Sequence, residues 1–293
     1  MSRPPFRNGR WRAAVIGKPI GHSLSPAIQN AAFQASGFPA WYEAIEVDPE
    51  DVPALLALVR GPQWLGVNVT IPHKEAVARL IDERSHEAAR AGAVNTVVRV
   101  GETLVGHNTD IAGFLRALRE DARFDPRGCA AVVLGAGGAA RACAVALADA
   151  GARRIVIVNR DQSRAERLAA DLGADRIEAA RGEEAADACR AADLLVNATS
   201  VGMRGGPAPE ALPLPAGWLP RDGLVYDLVY RPTETPLLRA AIASGLPVLG
   251  GLAMLVYQGA AAFELWTGIA APVERMREAA AAKVEEASAC SDS

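Results

Sequence analysis

Short apolar runs alternate with longer amphipathic stretches along this chain. "AAVIGKPI" (13–20) reads as a strand entering a Gly/Pro turn. "SPAIQNAAFQASG" (25–37) reads as a helix, with Ser25 as its cap, Pro26 in its first turn and Gly37 as its stop. "AWYEAIEV" (40–47) alternates as a strand, and "DPEDVPALLALVRG" (48–61) predicts a capped helix. "WLGVNVTIP" (64–72) predicts a buried strand, followed by the helix "HKEAVARLID". "AVNTVVRVGETLVGHNTD" (93–110) predicts a hairpin around Gly101 that runs into a polar turn, and "IAGFLRALRED" (111–121) a helix.

The rhythm then changes. "CAAVVLGAGGAARACAVALADAGARRIVIVNR" (129–160) has the order strand, glycine turn, helix, strand of a parallel β-α-β unit. "ADLLVNATS" (192–200), "GLVYDLVY" (223–230) and "LPVLGG" add strands, with helical stretches between them. "AMLVYQGAAAFELWTG" (253–268) predicts an apolar helix, "PVERMREAAAAKVEEA" an amphipathic one, and "SACSDS" a loose tail. The expected class is α/β in two domains. Residues 1–112 form an α/β domain and 113–250 a doubly wound, Rossmann-type domain. The helices of 251–293 are expected to pack back on the first domain.

Composition narrows the partners. The chain has 293 residues, half of them apolar, and a net charge of −3 with both signs interspersed. That balance argues against a nucleic-acid partner, while leaving room for a small anionic ligand. The N-terminal "MSRPPFRNGRWR" is not followed by a signal-type apolar segment, and no run is long enough to span a membrane. Cys129, Cys143, Cys189 and Cys290 form neither a C-x-x-C pair nor a zinc pattern, so no metal is expected and a reducing, cytoplasmic setting fits.

"VVLGAGGAAR" carries the chemistry of the second domain. Gly135 permits a tight turn, Gly137 lets backbone approach a pyrophosphate, and the small Ala140 lets helix pack on strand. The candidate phosphate-side residues are Gly135, Gly137, Gly138 and Ala139. A strand before, a helix after and a second strand at the right distance make this dinucleotide pattern specific. That second strand ends in "NRDQSR" (159–164) rather than in an acidic residue. Asn159, Arg160 and Arg164 suit a 2′-phosphate, and Arg160 can stack on adenine. Asp161 either opposes a phosphate or caps the helix "DQSRAERLAA"; the capping preference of Asp favours the second, and with it NADP.

The first domain is dense in polar residues at element ends: Ser23 and Ser25; Asn68, Thr70 and Lys74; Asn95; Asn108, Thr109 and Asp110. Each alone reads as a turn or cap residue. Together with the stretches "VIGKPIGHSLSP", "NVTIPHK", "GAVNT", "GHNTD", "GAGGAAR", "NATSVGM", "YDLVYRPTETPLL" and "MLVYQGAAAFELW", in this order, they make the chain resemble the shikimate dehydrogenases over nearly its whole length. The resemblance implies a substrate domain, an NADP-binding domain and a deep cleft between them. It implies reversible NADPH-dependent reduction of 3-dehydroshikimate to shikimate, a step toward the aromatic amino acids, by a cytoplasmic monomer or homodimer. Carried over, Ser23 and Ser25 would bind the substrate carboxylate, with Tyr230 near it. Thr70, Asn95, Asp110 and Gln258 would bind ring hydroxyls, Lys74 and Asp110 would be the catalytic pair, and Gly251 would lie near the nicotinamide. Asn159, Arg160 and Arg164 match the family's adenosine-phosphate clamp.

Two positions depart from the family pattern. Many shikimate-specific members have His at Gln29 and Thr at Asp161. Both lean toward the quinate/shikimate branch, some members of which accept NAD. Gln29, on the helix after the serines, either lines the carboxylate region, caps, or faces solvent. A catalytically silent ligand-binding or regulatory relative is the third alternative; it would be signalled by loss of Lys74 or Asp110, and both are present.

Overall fold

The first apolar run becomes strand β1 (Trp11–Gly17), beginning two residues ahead of the pattern. It is followed by α1 (Ser25–Ser36), β2 (Ala40–Glu46), α2 (Val52–Val59), β3 (Trp64–Val69), α3 (Lys74–Leu80), a two-residue β4 (Glu83–Arg84), α4 (His86–Ala91), β5 (Thr96–Val100) and β6 (Thr103–His107). The structure, a computed structural model, describes residues 10–173 and 175–289. The strands form one mixed sheet in the order β2-β1-β3-β5-β6-β4. β1 runs parallel to β2 and β3, and β5 is antiparallel to β3 and β6. The carboxyl ends of β1, β3 and β6 and the amino end of β5 therefore share one edge, which collects the polar clusters seen in the sequence. β3 is buried at all six positions, as its near-continuous apolar run requires. Ile16, Val52, Leu56, Val59, Trp64, Val67 and Val97 pack in its core. Gly66 is required there: a Cβ would stand 1.9 Å from the Val97 carbonyl, which accepts the Trp266 indole N–H at 3.0 Å.

Two helix starts differ from expectation. Leu24 occupies the cap position of α1 without a side-chain bond, and Ser25 is the first helical residue. Asp48 does not cap the next helix either. Its carboxylate is drawn into an ion pair with Lys18, and residues Pro49–Asp51 form a single 3₁₀ turn before α2.

The remaining elements are α5 (Thr109–Arg116), β7 (Ala130–Leu134), α6 (Gly138–Asp149), β8 (Arg154–Val158), α7 (Gln162–Leu172), β9 (Ile177–Ala179), α8 (Gly182–Arg190), β10 (Leu194–Asn197), β11 (Leu224–Asp227), α9 (Pro236–Ala243), β12 (Val248–Gly250), α10 (Leu252–Thr267) and α11 (Val273–Ala289). β7 to β12 form a second sheet, wholly parallel, in the order β12-β11-β10-β7-β8-β9. Read from β9, that is the doubly wound order whose direction reverses between β7 and β10, where such sheets bind ligands. Val132, Val156, Leu195, Val225 and Leu237 lie in its core.

The chain divides into two units, Met1–Gly113 with Val256–Ser293, and Phe114–Leu255. The divisions fall inside α5 and α10, so the first turn of α10 goes with the second unit. Within the first unit α11 packs on α1, and Phe263 of α10 lies against Phe33 of α1 in a tilted arrangement with ring centroids 5.5 Å apart. α11 extends to Ala289, taking up the start of the expected tail; the rest of that tail, with Cys290, lies outside the described residues. Cys129, Cys143 and Cys189 are buried free thiols, and burial pushes Cys129 and Cys189 up to about 11. No helix among the described residues is long and apolar enough to cross a membrane.

Candidate active site

Lys74 opens α3 directly after the β3 edge. His73 before it is buried, with Nε2 at 2.9 Å from the Val47 carbonyl, and this ties the start of the helix to the end of β2. Lys74 Nζ donates to Asp110 Oδ2 at 2.5 Å, and both side chains are largely withdrawn from water, at 15% and 7% exposure. Asn95, just before β5, donates through Nδ2 to Asp110 Oδ1 at 2.8 Å and stands 3.4 Å from Gln258 Oε1. The sheet edge thus gathers Lys74, Asn95, Asp110 and Gln258 from four separate stretches of chain. Thr70 follows β3, half-buried, and its methyl occupies the space a side chain at Gly17 would need. Ser23 and Ser25 follow β1, half-buried; Ser25 N donates to Ser23 Oγ at 3.3 Å. This constellation offers an ammonium, a carboxylate and several neutral donors, which suits a polyhydroxylated acid and a proton transfer to oxygen.

Gln29 does not line this region. It is buried, with Nε2 donating to the Gly259 carbonyl at 2.8 Å and Oε1 without a partner among the described residues. The solvent-facing and capping alternatives fail with it. The reason is packing within the same unit: α10 presents Gly259, whose missing side chain makes room for the Gln29 amide and whose carbonyl accepts from it.

In the second unit, Gly135 ends β7 with φ of 112°, and a Cβ there would press on the Ala198 carbonyl at 3.0 Å. Gly137 precedes α6 with nothing within 4 Å of where a Cβ would stand. Packing does not require a glycine at 137, and the open space beside it leaves room for a ligand to approach the backbone. Gly138 and Ala139 open α6, whose first turn carries no acidic residue, so the positive end of the helix is uncompensated. At the end of β8, Asn159 Nδ2 donates to the Asp161 carbonyl at 2.9 Å. Asp161 caps α7: its carboxylate accepts from Ser163 Oγ at 2.7 Å and from the Arg164 backbone N–H at 3.4 Å. The Ser163 hydroxyl, chiefly, holds the Asp161 carboxyl below its usual range. Arg160 and Arg164 are exposed and form no ion pair among the described residues. These residues fit a dinucleotide with a 2′-phosphate. Tyr230, after β11, is half-buried, and burial pushes its hydroxyl up. Gly251, after β12, is buried with its Cα against the Leu228 carbonyl, leaving no room for a Cβ.

Residue-by-residue reading of the sequence named Asn68 but missed the other groups behind this site. Tyr42, Asn68 and Thr96 are buried and bonded to one another, as are Asn197, Asp227 and Thr235 in the second unit. The inward position of Tyr42 in an alternating strand was the available signal, but it is equally the signal of an ordinary core tyrosine.

Known families agree with this division of labour. Residues 15–97 match the shikimate dehydrogenase substrate binding domain, 120–203 the shikimate/quinate 5-dehydrogenase family, and 251–281 the shikimate 5′-dehydrogenase C-terminal domain. The chain is 49% identical to the shikimate dehydrogenase (NADP(+)) of Moorella thermoacetica over 268 residues, covering 90% of each chain. Its fold superposes with a TM-score of 0.85 on the shikimate 5-dehydrogenase of Thermus thermophilus, solved with NADP(H) and shikimate, at 45% identity over 93% of this chain and 99% of that one. A quinate dehydrogenase of Corynebacterium glutamicum, solved with NAD, gives 0.84 at 35% identity over 93% and 99%. With the sheet-edge constellation in one unit, the glycine turn in the other and this similarity across both, the chain belongs to the shikimate dehydrogenase family.

Proposed function

We propose that the chain reduces 3-dehydroshikimate to shikimate, reversibly and with NADPH, as one step of the shikimate pathway, and that it does so in the cytoplasm as a monomer or homodimer. The observation that carries this is the Lys74–Asp110 pair, held by Asn95 at the sheet edge beside the serines. Ser23 and Ser25 hold the substrate carboxylate, with Tyr230 as its further partner. Thr70, Asn95, Asp110 and Gln258 take the ring hydroxyls. The Lys74 ammonium stabilises charge developing on the ketone oxygen and gives it a proton. Asp110 keeps that ammonium oriented and accepts from a substrate hydroxyl. Gly135, Gly137, Gly138 and Ala139 hold the cofactor's pyrophosphate; Asn159, Arg160 and Arg164 hold its adenosine phosphate, and Gly251 lies against its nicotinamide. When bound, NADPH supplies the hydride.

Steady-state assays with shikimate and quinate, each against NADP and NAD, test the reading. The expected result is the highest kcat/KM for shikimate with NADP. Equal efficiency with quinate, or with NAD, would move the chain to the quinate/shikimate branch. The capping geometry of Asp161 and the unpaired Arg160 favour NADP.

A further inference from the structure

Behind the Lys74–Asp110 pair lies a continuous buried series of hydrogen bonds. Tyr42 Oη is 2.6 Å from Asn68 Oδ1, and Asn68 Nδ2 is 2.9 Å from Thr96 Oγ1. Thr96 Oγ1 is 3.0 Å from Thr109 Oγ1 and 3.1 Å from Asn95 Oδ1. Asn95 then reaches Asp110.

Two backbone groups fix the direction of the amide links. The Thr109 backbone N–H donates to Asn95 Oδ1 at 2.7 Å, so Asn95 must turn its NH₂ toward Asp110. The Asn95 carbonyl accepts from Asn68 Nδ2 at 3.2 Å, so Asn68 must present Oδ1 to Tyr42. Tyr42 is therefore the donor of its link, and Thr96, which accepts from Asn68, has its own proton left for Asn95 or Thr109. Burial pushes the Tyr42 hydroxyl well above its ordinary range, with the adjacent Ser25 hydroxyl opposing, so it remains a donor. Asn30 of α1 locks Tyr42 in place, its amide bonding the Tyr42 N–H at 2.9 Å and carbonyl at 2.8 Å.

We propose that Thr96 and Thr109, held through Asn68 by Tyr42, are positioning residues that set the Asn95 amide so that its Nδ2 faces Asp110. This rests on the assignment of Lys74 and Asp110 to the reduction. With Thr96 changed to an isosteric valine, Asn68 Nδ2 loses one of its two acceptors and Asn95 Oδ1 one of its donors. The Asn95 amide keeps the Thr109 N–H on its Oδ1 but loses part of its support, so its Nδ2 is set less firmly toward Asp110.

The test is a set of variants, Thr96→Val, Thr96→Ser and Tyr42→Phe, assayed for shikimate kcat and KM, NADP KM, shikimate affinity by calorimetry without cofactor, and Tm. Thr96→Val is expected to lower kcat/KM for shikimate about tenfold, the size of one buried polar group left unmet. It should weaken shikimate binding in parallel and leave the NADP KM unchanged, since the cofactor residues lie in the other unit. Thr96→Ser, which restores the hydroxyl, should recover most of the loss. Tyr42→Phe, two links further back, should show the same split at smaller size, and carries the test if the valine variant does not fold. A folded Thr96→Val or Tyr42→Phe with shikimate constants within twofold of wild type overturns the proposal. So does a loss in shikimate and NADP constants alike, or one that serine does not repair. An inactive wild type with intact shikimate binding would instead count against the catalytic assignment.

Discussion

The first unit's buried polar network is assembled from neutral amides and hydroxyls that lead to one ion pair, whereas the second unit's is centred on a single carboxylate. Asp227, at the end of β11, is fully buried. Its oxygens accept from Asn197 Nδ2 at 2.9 Å, the Val229 N–H at 3.0 Å and Thr235 Oγ1 at 2.6 Å. Thr235 in turn caps α9 through the Leu238 N–H, and Asn197 Oδ1 accepts from Thr199 Oγ1 at 2.7 Å. One anion thus gathers the loops that follow β10 and β11, where a doubly wound sheet places its ligand. Hydroxyls and amides hold direction without titrating. A carboxylate collects three donors at once, but burial penalises its charge, and desolvation pushes Asp227 up to about 6 in spite of those donors.

The largest effect expected from breaking either network's output is at Lys74. Lys74→Ala should cut kcat by about 10²–10⁴-fold, the usual worth of a positioned acid–base group, while shikimate binding falls far less. Steady-state kinetics with calorimetric binding checks it, and near-wild-type turnover would remove Lys74 from the chemistry.

Next in size, Asp227→Asn should expose the pH sensitivity that the first unit's neutral series lacks. Because the folded-state value lies above the ordinary 3.8, the folded chain binds this proton more tightly than the unfolded chain. The group's contribution to stability is greatest below pH 4, is lost as pH rises to about 6, and is level above that. The unfolding free energy of wild type minus that of Asp227→Asn should therefore fall by about 3 kcal/mol over this range. Denaturant melts at several pH values measure it; a flat difference would show that Asp227 does not titrate there. Thr96→Val, by contrast, should differ from wild type by a pH-independent amount in the same melts.

A smaller effect belongs to the cofactor end of the second unit. Arg160→Ala should raise the NADP KM about tenfold or more, the worth of a lost charge-assisted contact, and leave the NAD KM almost unchanged. An equal effect on both cofactors would show that Arg160 does not read the phosphate. Smallest of all is Gln29→Met. Since Gln29 packs against α10 with an unmet Oε1, the ratio of kcat/KM for shikimate over quinate should stay within about twofold of wild type. A larger shift would return Gln29 to the substrate region.

The elements of the fold were legible wherever one face of a strand or helix had to be apolar. β3 and the strands of the parallel sheet other than the three-residue β9 announced themselves as apolar runs, and the turn after β7 as glycines at fixed spacing. The starts of α1 and α2 were misread because a cap is a contact, not a residue type. Ser25 has the right chemistry one position too late, and Asp48 finds Lys18 instead. β4 was missed because two exposed residues, Glu83 and Arg84, carry no periodicity. At the site, Lys74 and Asp110 stand out only as members of motifs. Nothing in their spacing of 36 positions says that they meet.

What the sequence by itself determined is the set of segments that must be buried and the chemistry each segment end can offer. That follows from local rules: apolar period, turn residues, and the ability of glycine to let backbone come close. What only the tertiary structure decided is which of those ends share an edge and which way each amide turns. Gln29 and Tyr42 could not be told apart from ordinary helix and strand residues until α10 and β3 were set beside them. The orientation of Asn95 depends on the backbone N–H of Thr109, fourteen residues away. Hydrogen bonds require partners within about 3 Å at a defined angle. Such proximity between distant residues is created by sheet order and helix packing, and by no property of the residues taken singly.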